Sequence, residues 1–354
     1  MKKIFLFLLT FVFCILSFTS CSKTTKTEEN KVYVYNWGDD IDPDVLKSFE
    51  EETGIKVIYD EYDTNEDMYA KIQSGAVEYD VLNPSAYMIE RLIKENKIQP
   101  LDFSKIPNIK NIDKNDMERV SKFDEGKYAV PYGWDIIGIV YNKKLVSEKI
   151  DSWGFLFDDA ILEKYNNNFV MIDSMRDAFM CALKYKGYST NTTDEKELNE
   201  AKELLKKQQK YAKAYSIDGT KEMMIGENAA FAVNYSSDSN VMISQNPDLE
   251  FVYPKEGSAL TYDAFVIPSN AKNVENAHKF IDYMCRPDIA LKNFNVTNFP
   301  TPNVEAQKML PEEIRNNKTV YPDDSITSKC ETYNYQPQNM IDLYNNMWKE
   351  IRGN

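Results

Sequence analysis

From Lys31 onward the chain alternates short β-rich runs with amphipathic helical stretches, which confines it to a layered α/β architecture. KVYVYN is followed by DPDVLKSFEEETG, IKVIYD, a helix through Met68 to Ser74, and YDVLNP. The first helix carries its own punctuation, with Asp42 as cap, Pro43 at the first helical position and Gly54 just past the end. Val45, Leu46 and Phe49 form its buried stripe. After Tyr128 a second alternation runs through IIGIVYN, FVMID, a helix from Arg176 to Lys186, a charged helix from Asp194 to Tyr211, AAFAVNY and EFVYP. The chain then returns through YDAFVIP. No segment repeats internally, which argues against a solenoid. With 354 residues the chain exceeds the roughly 250–300 at which a single core stops growing, so two α/β lobes joined by two or three crossings are the economical reading. A single large α/β domain fits the same rhythm.

Ahead of this region stands MKKIFLFLLTFVFCILSFTSC: two lysines, an apolar run and small polar residues ending in Cys21. This is the pattern of a bacterial lipoprotein signal peptide. Ile4 to Ser17 is shorter than the roughly 20 apolar residues a membrane span needs. Residues 1–20 therefore read as the leader, Cys21 as the lipidated residue, and 21–30 as a flexible polar tether. The segment LSFTSC is a loose lipobox, because Phe18 and Thr19 replace its usual leucine and small residue.

Formal charge is −14, or −16 without the two leader lysines, on a chain with 23 tyrosines, 18 phenylalanines and one histidine. Such a surface repels nucleic acid and attracts cations. Without Cys14 and Cys21, the remaining Cys181, Cys285 and Cys330 have neither CxxC spacing nor a histidine partner, so no zinc site is expected. At least one should be a buried thiol, since MCAL and YMCR lie in apolar helical stretches. His278, in ENAHKFIDYM, reads as a helix-surface residue rather than a catalyst. GxSxG, HExxH, GxxxxGK[ST] and GxGxxG are all missing, so triad, zincin, P-loop and dinucleotide readings each lack their basic constellation, while a glycosidase-like pair of carboxylates stays open but unmotivated. Asp40, Asp42, Asp44 and Glu51 imitate calcium-loop spacing, but Val45 occupies the glycine position and Pro43 suits a helix start. Neither a metal nor a cofactor is expected.

Four strand ends carry aromatic or acidic residues: Trp37 with Asp39 and Asp40, Ser85 with Tyr87, Asp173 with Asp177, and Tyr262 with Asp263. In open α/β sheets ligands sit beyond such ends. An organic ammonium ion with a methylene stem needs carboxylates for its hydrogen bonds and aromatic faces over its stem. Each residue alone has a structural alternative, as a rim aromatic, a packing tyrosine or a helix cap.

The chain resembles the spermidine/putrescine-binding, PotD-like substrate-binding proteins of bacterial ABC importers. The likeness is carried by YNW, ETGIKVIYDEYDTNEDMYAK, GYSTNTTDEKE, YPKEG, VIPSNAKN with RPDIA, and FPTPN followed by NKTVYPD. It implies a type II periplasmic-binding-protein fold, an α/β structure of two lobes with a ligand cleft between them. It also implies capture of a polyamine for a membrane permease, and with the leader read above the expectation is a monomer, without catalysis, held by its lipid anchor on the periplasmic or extracellular face of the membrane. The family's stacking tryptophan falls on Trp37 and the acid two positions later on Asp39, while Asp40 stands where an aromatic is expected. Its serine and tyrosine match Ser85 and Tyr87, and its second-lobe acid matches Asp177. The other acid there aligns on Ser174, beside Asp173. The aspartate of the WxD segment matches Asp263, with Thr261 in place of the indole and Tyr262 between. Phe299 replaces a tyrosine, and Asn234 with Tyr235 stand where a further indole is absent.

Lobe one is thus expected over residues 31–135 with a return segment 262–304, and lobe two over 136–261 with the C-terminal segment 305–354 packed on it. Hinges would fall near Ile136 and Leu260. Because part of the aromatic box is changed, the alternatives are another organic cation, an amino-acid-like solute, or an adhesive role for the surface lipoprotein.

Overall fold

The structure, a computed structural model, describes residues 30–38, 40–217 and 219–353. The leader, Cys21, nearly all of the tether and the candidate residue Asp39 lie outside the described residues. β1 (Lys31–Trp37) and β2 (Lys56–Tyr62) pair in parallel along their whole length, and β3 (Val81–Leu82) adds to the other side of β1. The helix Pro43–Thr53 makes the crossover between β1 and β2. It is built as its sequence dictates: Asp42 accepts from the Asp44 N–H, Pro43 opens the helix, and Gly54 closes it at φ 66°. β4 (Ile98–Gln99) is a short edge strand.

β5 (Val130–Asn142) is the long spine of the molecule. β6 (Phe169–Met171), β7 (Ala214–Tyr215) and β8 (Phe231–Tyr235) follow, then β9 (Leu249–Val252), β10 (Leu260–Phe265) and β11 (Ile267–Pro268). The larger sheet runs β10-β5-β8-β6-β7, with β9 also pairing β5, while β11 pairs β4. β10 takes the first half of β5 and β8 and β9 flank the second half, all antiparallel, so one strand belongs to two neighbourhoods.

The packing divides at that spine. Ile136 packs with Tyr35, Leu82, Ile89 and Val266, whereas Ile137 packs with Phe169, Phe179, Phe231 and Tyr344. Coming back, Ala259 belongs to the second of these groups and Leu260 to the first. Stacked rings at Phe169 and Phe231, 4.9 Å apart, centre the second core, and each such fully buried ring contributes about 1.5–3 kcal/mol. The helix Gln338–Arg352 lays Met340, Tyr344, Met347 and Ile351 against it.

Helix ends differ from the sequence pattern by a residue or a few: Asn65–Ser74, Met175–Tyr185 and Glu195–Gln208. His278 is a correction. It is buried rather than on the helix surface, with Nε2 accepting from the Asp102 N–H at 3.0 Å and Nδ1 bonded to the Val274 carbonyl at 2.8 Å. Cys181 and Cys285 are buried thiols, and Cys330 is free and partly exposed.

A strap from Lys329 to Gln336 pairs with the chain where it enters β10. The Leu260 N–H donates to the Glu331 carbonyl at 3.1 Å and the Glu331 N–H to the Ser258 carbonyl at 2.9 Å, while the Glu331 carboxylate takes Lys184 and Ser189. Gly257 permits this approach. It sits at φ 87°, and a Cβ there would lie 2.1 Å from the Lys329 carbonyl oxygen. Gly257→Ala should therefore cost about 2–4 kcal/mol in urea unfolding. Gly75→Ala, at φ 65° in open space, should cost only about 1 kcal/mol. Equal losses would show that the strap tolerates displacement.

Candidate functional site

Strand ends supply the side chains of the site, and their polar partners fix them. Ser85 stands ahead of the helix Ala86–Lys94 yet does not cap it; its hydroxyl donates to Asp263 Oδ1 at 2.6 Å. Asn65 Nδ2 donates in turn to Ser85 Oγ at 3.1 Å. Past the end of β1, Asp40 accepts from Asn83 Nδ2 at 3.4 Å, and its carbonyl accepts from the Tyr132 hydroxyl. Asn83 Nδ2 also donates to Asn36 Oδ1 at 2.7 Å, while Asn83 Oδ1 is buried with no hydrogen-bond partner among the described residues. That leaves a bare acceptor next to a carboxylate.

Aromatic faces close around these acids. Trp37 packs on Tyr62 with ring centres 4.6 Å apart, and the Tyr62 hydroxyl donates to the Asn83 carbonyl at 2.7 Å. Phe299 lies over Gly133, so closely that a Cβ there would come within 2.2 Å of the ring, and Tyr132 is 6.0 Å from it. The charges of Asp40 and Asp263 both reach Tyr62 and Tyr132.

On the other side Asp177, in the first turn of the helix Met175–Tyr185, accepts from the hydroxyls of Tyr235 and Tyr333, each at 2.7 Å. Arg176 stacks over Tyr333 at 4.4 Å and Tyr87 at 5.2 Å and donates to the Asn334 carbonyl at 2.9 Å. The Tyr87 hydroxyl donates to Glu66 at 3.1 Å. Tyr235 links the two sides, because it bonds Asp177 and also feels the charges of Asp135 and Asp263.

Electrostatics make the floor hungry for a cation. Burial pushes the Asp263 carboxyl up to about 7 despite the Ser85 hydrogen bond, and the charge of Asp135 adds to the rise. Asp135 is pushed up to about 6 by burial, opposed by the hydroxyls of Ser236 and Ser237. For Asp40, burial and then the Asp263 charge hold the carboxyl well above its usual range. An ammonium ion would relieve all three. Among the described residues no group of three or more His, Cys, Asp or Glu is arranged to hold a metal ion.

The structure thus brings together Trp37, Asp40, Ser85, Asp263 and Phe299, with Tyr87 on the same side beneath Arg176, and Asp177 and Tyr235 opposite. It does not bring Tyr262 to them. That side chain is 1% exposed, and its hydroxyl donates to Asp116 at 2.9 Å and accepts from Arg119 at 2.9 Å. Successive strand residues face opposite ways, so Tyr262 cannot share the face of Asp263. Asp173 also stands apart, 3.6 Å from Arg352 on the C-terminal helix. Sequence reading missed Asp135, Tyr132, Tyr62, Tyr333 and Arg176. Only Asp135 carried a local signal, as an acid inside the apolar run GWDIIGIV.

Comparison with known proteins identifies the family. The family model for bacterial extracellular solute-binding proteins matches residues 44–322. The spermidine/putrescine-binding periplasmic protein of Salmonella typhimurium is 37% identical over 313 residues, covering 87% of this chain and 88% of that protein. The putrescine-binding periplasmic protein SpuD of Pseudomonas aeruginosa is 34% identical over 94% of this chain and 95% of its own length. Among solved structures, the spermidine/putrescine ABC transporter substrate-binding protein PotD of Streptococcus pneumoniae superposes with a TM-score of 0.79 at 37% identity, covering 92% of this chain and 99% of that one. With a two-lobed α/β fold, a matched family model and relatives aligned along almost their full length, the chain belongs to the bacterial extracellular solute-binding proteins, in their PotD-like group.

Proposed function

We propose that this protein captures polyamines such as spermidine and putrescine in the cleft between its lobes and delivers them to the permease of an ABC importer. One observation carries the reading: Asp40 and Asp263, both raised above the carboxylate range by burial, act electrostatically on the rings of Tyr62 and Tyr132, and Trp37 packs on Tyr62. Carboxylates answer the ammonium groups and rings cover the methylene stem. The relatives' names point to the same cargo, and no catalysis is required. Asp39 joins the lobe-one acids in this reading, as the neighbour of Asp40.

Lobe one holds residues 31–135 and 262–304, and lobe two holds 136–261 with the C-terminal helix Gln338–Arg352, while Leu310 and Val320 of the segment between them pack on Phe294. Closure is driven by a ligand that touches Asp263 on one side and Asp177 on the other, since only differential affinity for the closed form shifts that equilibrium. Cys21 carries the lipid that keeps the protein, a monomer, on the outer side of its membrane. Labelled fatty acid should enter the wild-type chain and not Cys21→Ala, and incorporation into the variant would remove the anchor from this reading.

Calorimetry with putrescine and spermidine tests the cargo. Both should bind, and Trp37→Ala should lose about 2 kcal/mol, roughly thirtyfold in affinity, with folding intact. Binding of neither amine at millimolar concentration would refute the polyamine reading. Unchanged affinity in the variant would make Trp37 a packing residue.

Asp263→Asn should cost at least as much affinity, because it removes one partner of a buried charge pair, worth about 3–5 kcal/mol. Its effect on the unliganded protein has the opposite sign. The folded carboxyl ionises near 7 against an ordinary value of 3.8, so wild-type stability is lost as pH rises between those values. Above pH 7 the unliganded variant should melt at a higher temperature than the wild type. A lower melting temperature at pH 8 would mean that the charge at Asp263 stabilises the empty fold.

A further inference from the structure

Asp135 has no part in the functional reading so far, yet it is buried on β5 beside the strand that carries Asp263. Across the β5–β10 pair it faces Thr261, and Gly133, two residues earlier, faces Asp263. Residues two apart share a face, so Asp135 lies one row along from Asp263. On its other side the Asp135 carboxylate accepts from the Ser236 N–H at 2.9 Å and from the hydroxyls of Ser236 and Ser237. Ser236 directly follows Tyr235, whose hydroxyl donates to Asp177. Three anionic stations therefore stand in order: Asp263 with Asp40, then Asp135, then Asp177.

We propose that Asp135 is a specificity-determining residue, which fits this cleft to a linear triamine in preference to a diamine of the same length. The inference rests on the polyamine reading and extends it to cargo choice. A ligand reaching from Asp263 to Asp177 must pass the middle station. Methylenes there would cover a buried negative charge that hydrogen bonds hold but no cation answers, whereas an internal ammonium answers it. Thr261 leaves room above the floor because its side chain is small, and its hydroxyl is turned to the Asp135 carbonyl at 3.3 Å. Asp135 is 4% exposed and its oxygens are occupied by protein donors, so it acts through its field rather than by contact. That field already reaches Asp40, Asp263 and Tyr235.

A purely structural role, as the anchor of the helix Ser236–Gln245, makes a different forecast: loss of Asp135 would then weaken every cargo alike. Calorimetry with spermidine and 1,8-diaminooctane separates the two, because their terminal nitrogens are the same number of atoms apart and only spermidine has an internal amine. Wild type should bind spermidine at least about tenfold more tightly than the octane diamine. In Asp135→Asn that ratio should shrink to about threefold or less. Equal affinity of wild type for the two amines would overturn the proposal, and needs no variant. An unchanged ratio in a folded Asp135→Asn would overturn it too. Failure of both amines to bind wild type would instead strike the polyamine reading beneath it.

Discussion

Three carboxylates share a floor that is too dry to leave them comfortably charged, and most of this molecule can be understood from that constraint. Asp263 and Asp135 project from β10 and β5, the two strands that run between the cores, and Asp40 reaches them from the end of β1. Each is pushed upward by burial, Asp135 adds to the rise of Asp263, and both add to that of Asp40. A protein designed for stability alone would neutralise such a cluster with lysine or arginine. Here Arg176 stands over Tyr87 and Tyr333 instead, and no Lys or Arg forms an ion pair with Asp40, Asp135 or Asp263 among the described residues.

Around that floor the fold provides rigidity where it is needed. Serines at 85, 236 and 237 hold the carboxylates by hydrogen bonds that neutralise no charge, so orientation is fixed while the appetite for a cation remains. Tyrosines do the same for Asp177. The rings of Trp37, Tyr62, Tyr132 and Phe299 exclude water and strengthen each electrostatic contact that a ligand would make. Since the acids are distributed over both sides of the spine, a bound polycation would connect segments whose hydrophobic cores are separate.

Much of this was legible in the sequence because it rests on local chemistry. Asp42, Pro43 and Gly54 announce the first helix, and β-rich runs such as KVYVYN and IKVIYD become β1 and β2. Acids and aromatics at strand ends likewise led to Trp37, Asp40, Ser85 and Asp263. What stayed hidden depends on tertiary placement. Tyr333 meets Asp177 across 156 residues from a segment without periodic pattern. His278 sits on a helix whose inner face meets the loop at Asp102, and nothing near it in sequence announces that burial. Adjacency groups Tyr262 with Asp263, although neighbours on a strand face opposite sides.

Proton release on binding tests the repulsive floor most directly. Ammonium groups placed among Asp40, Asp135 and Asp263 must lower the pH at which these acids ionise, so protons held by the empty cleft near pH 6.5 are expelled as the ligand enters. Calorimetric titration with putrescine at pH 6.5, in buffers of different ionisation enthalpy, should show net release of protons to the buffer, diminishing toward pH 8. Heat independent of the buffer at pH 6.5, or uptake of protons, would mean that these carboxylates are already charged and at ease without a cation.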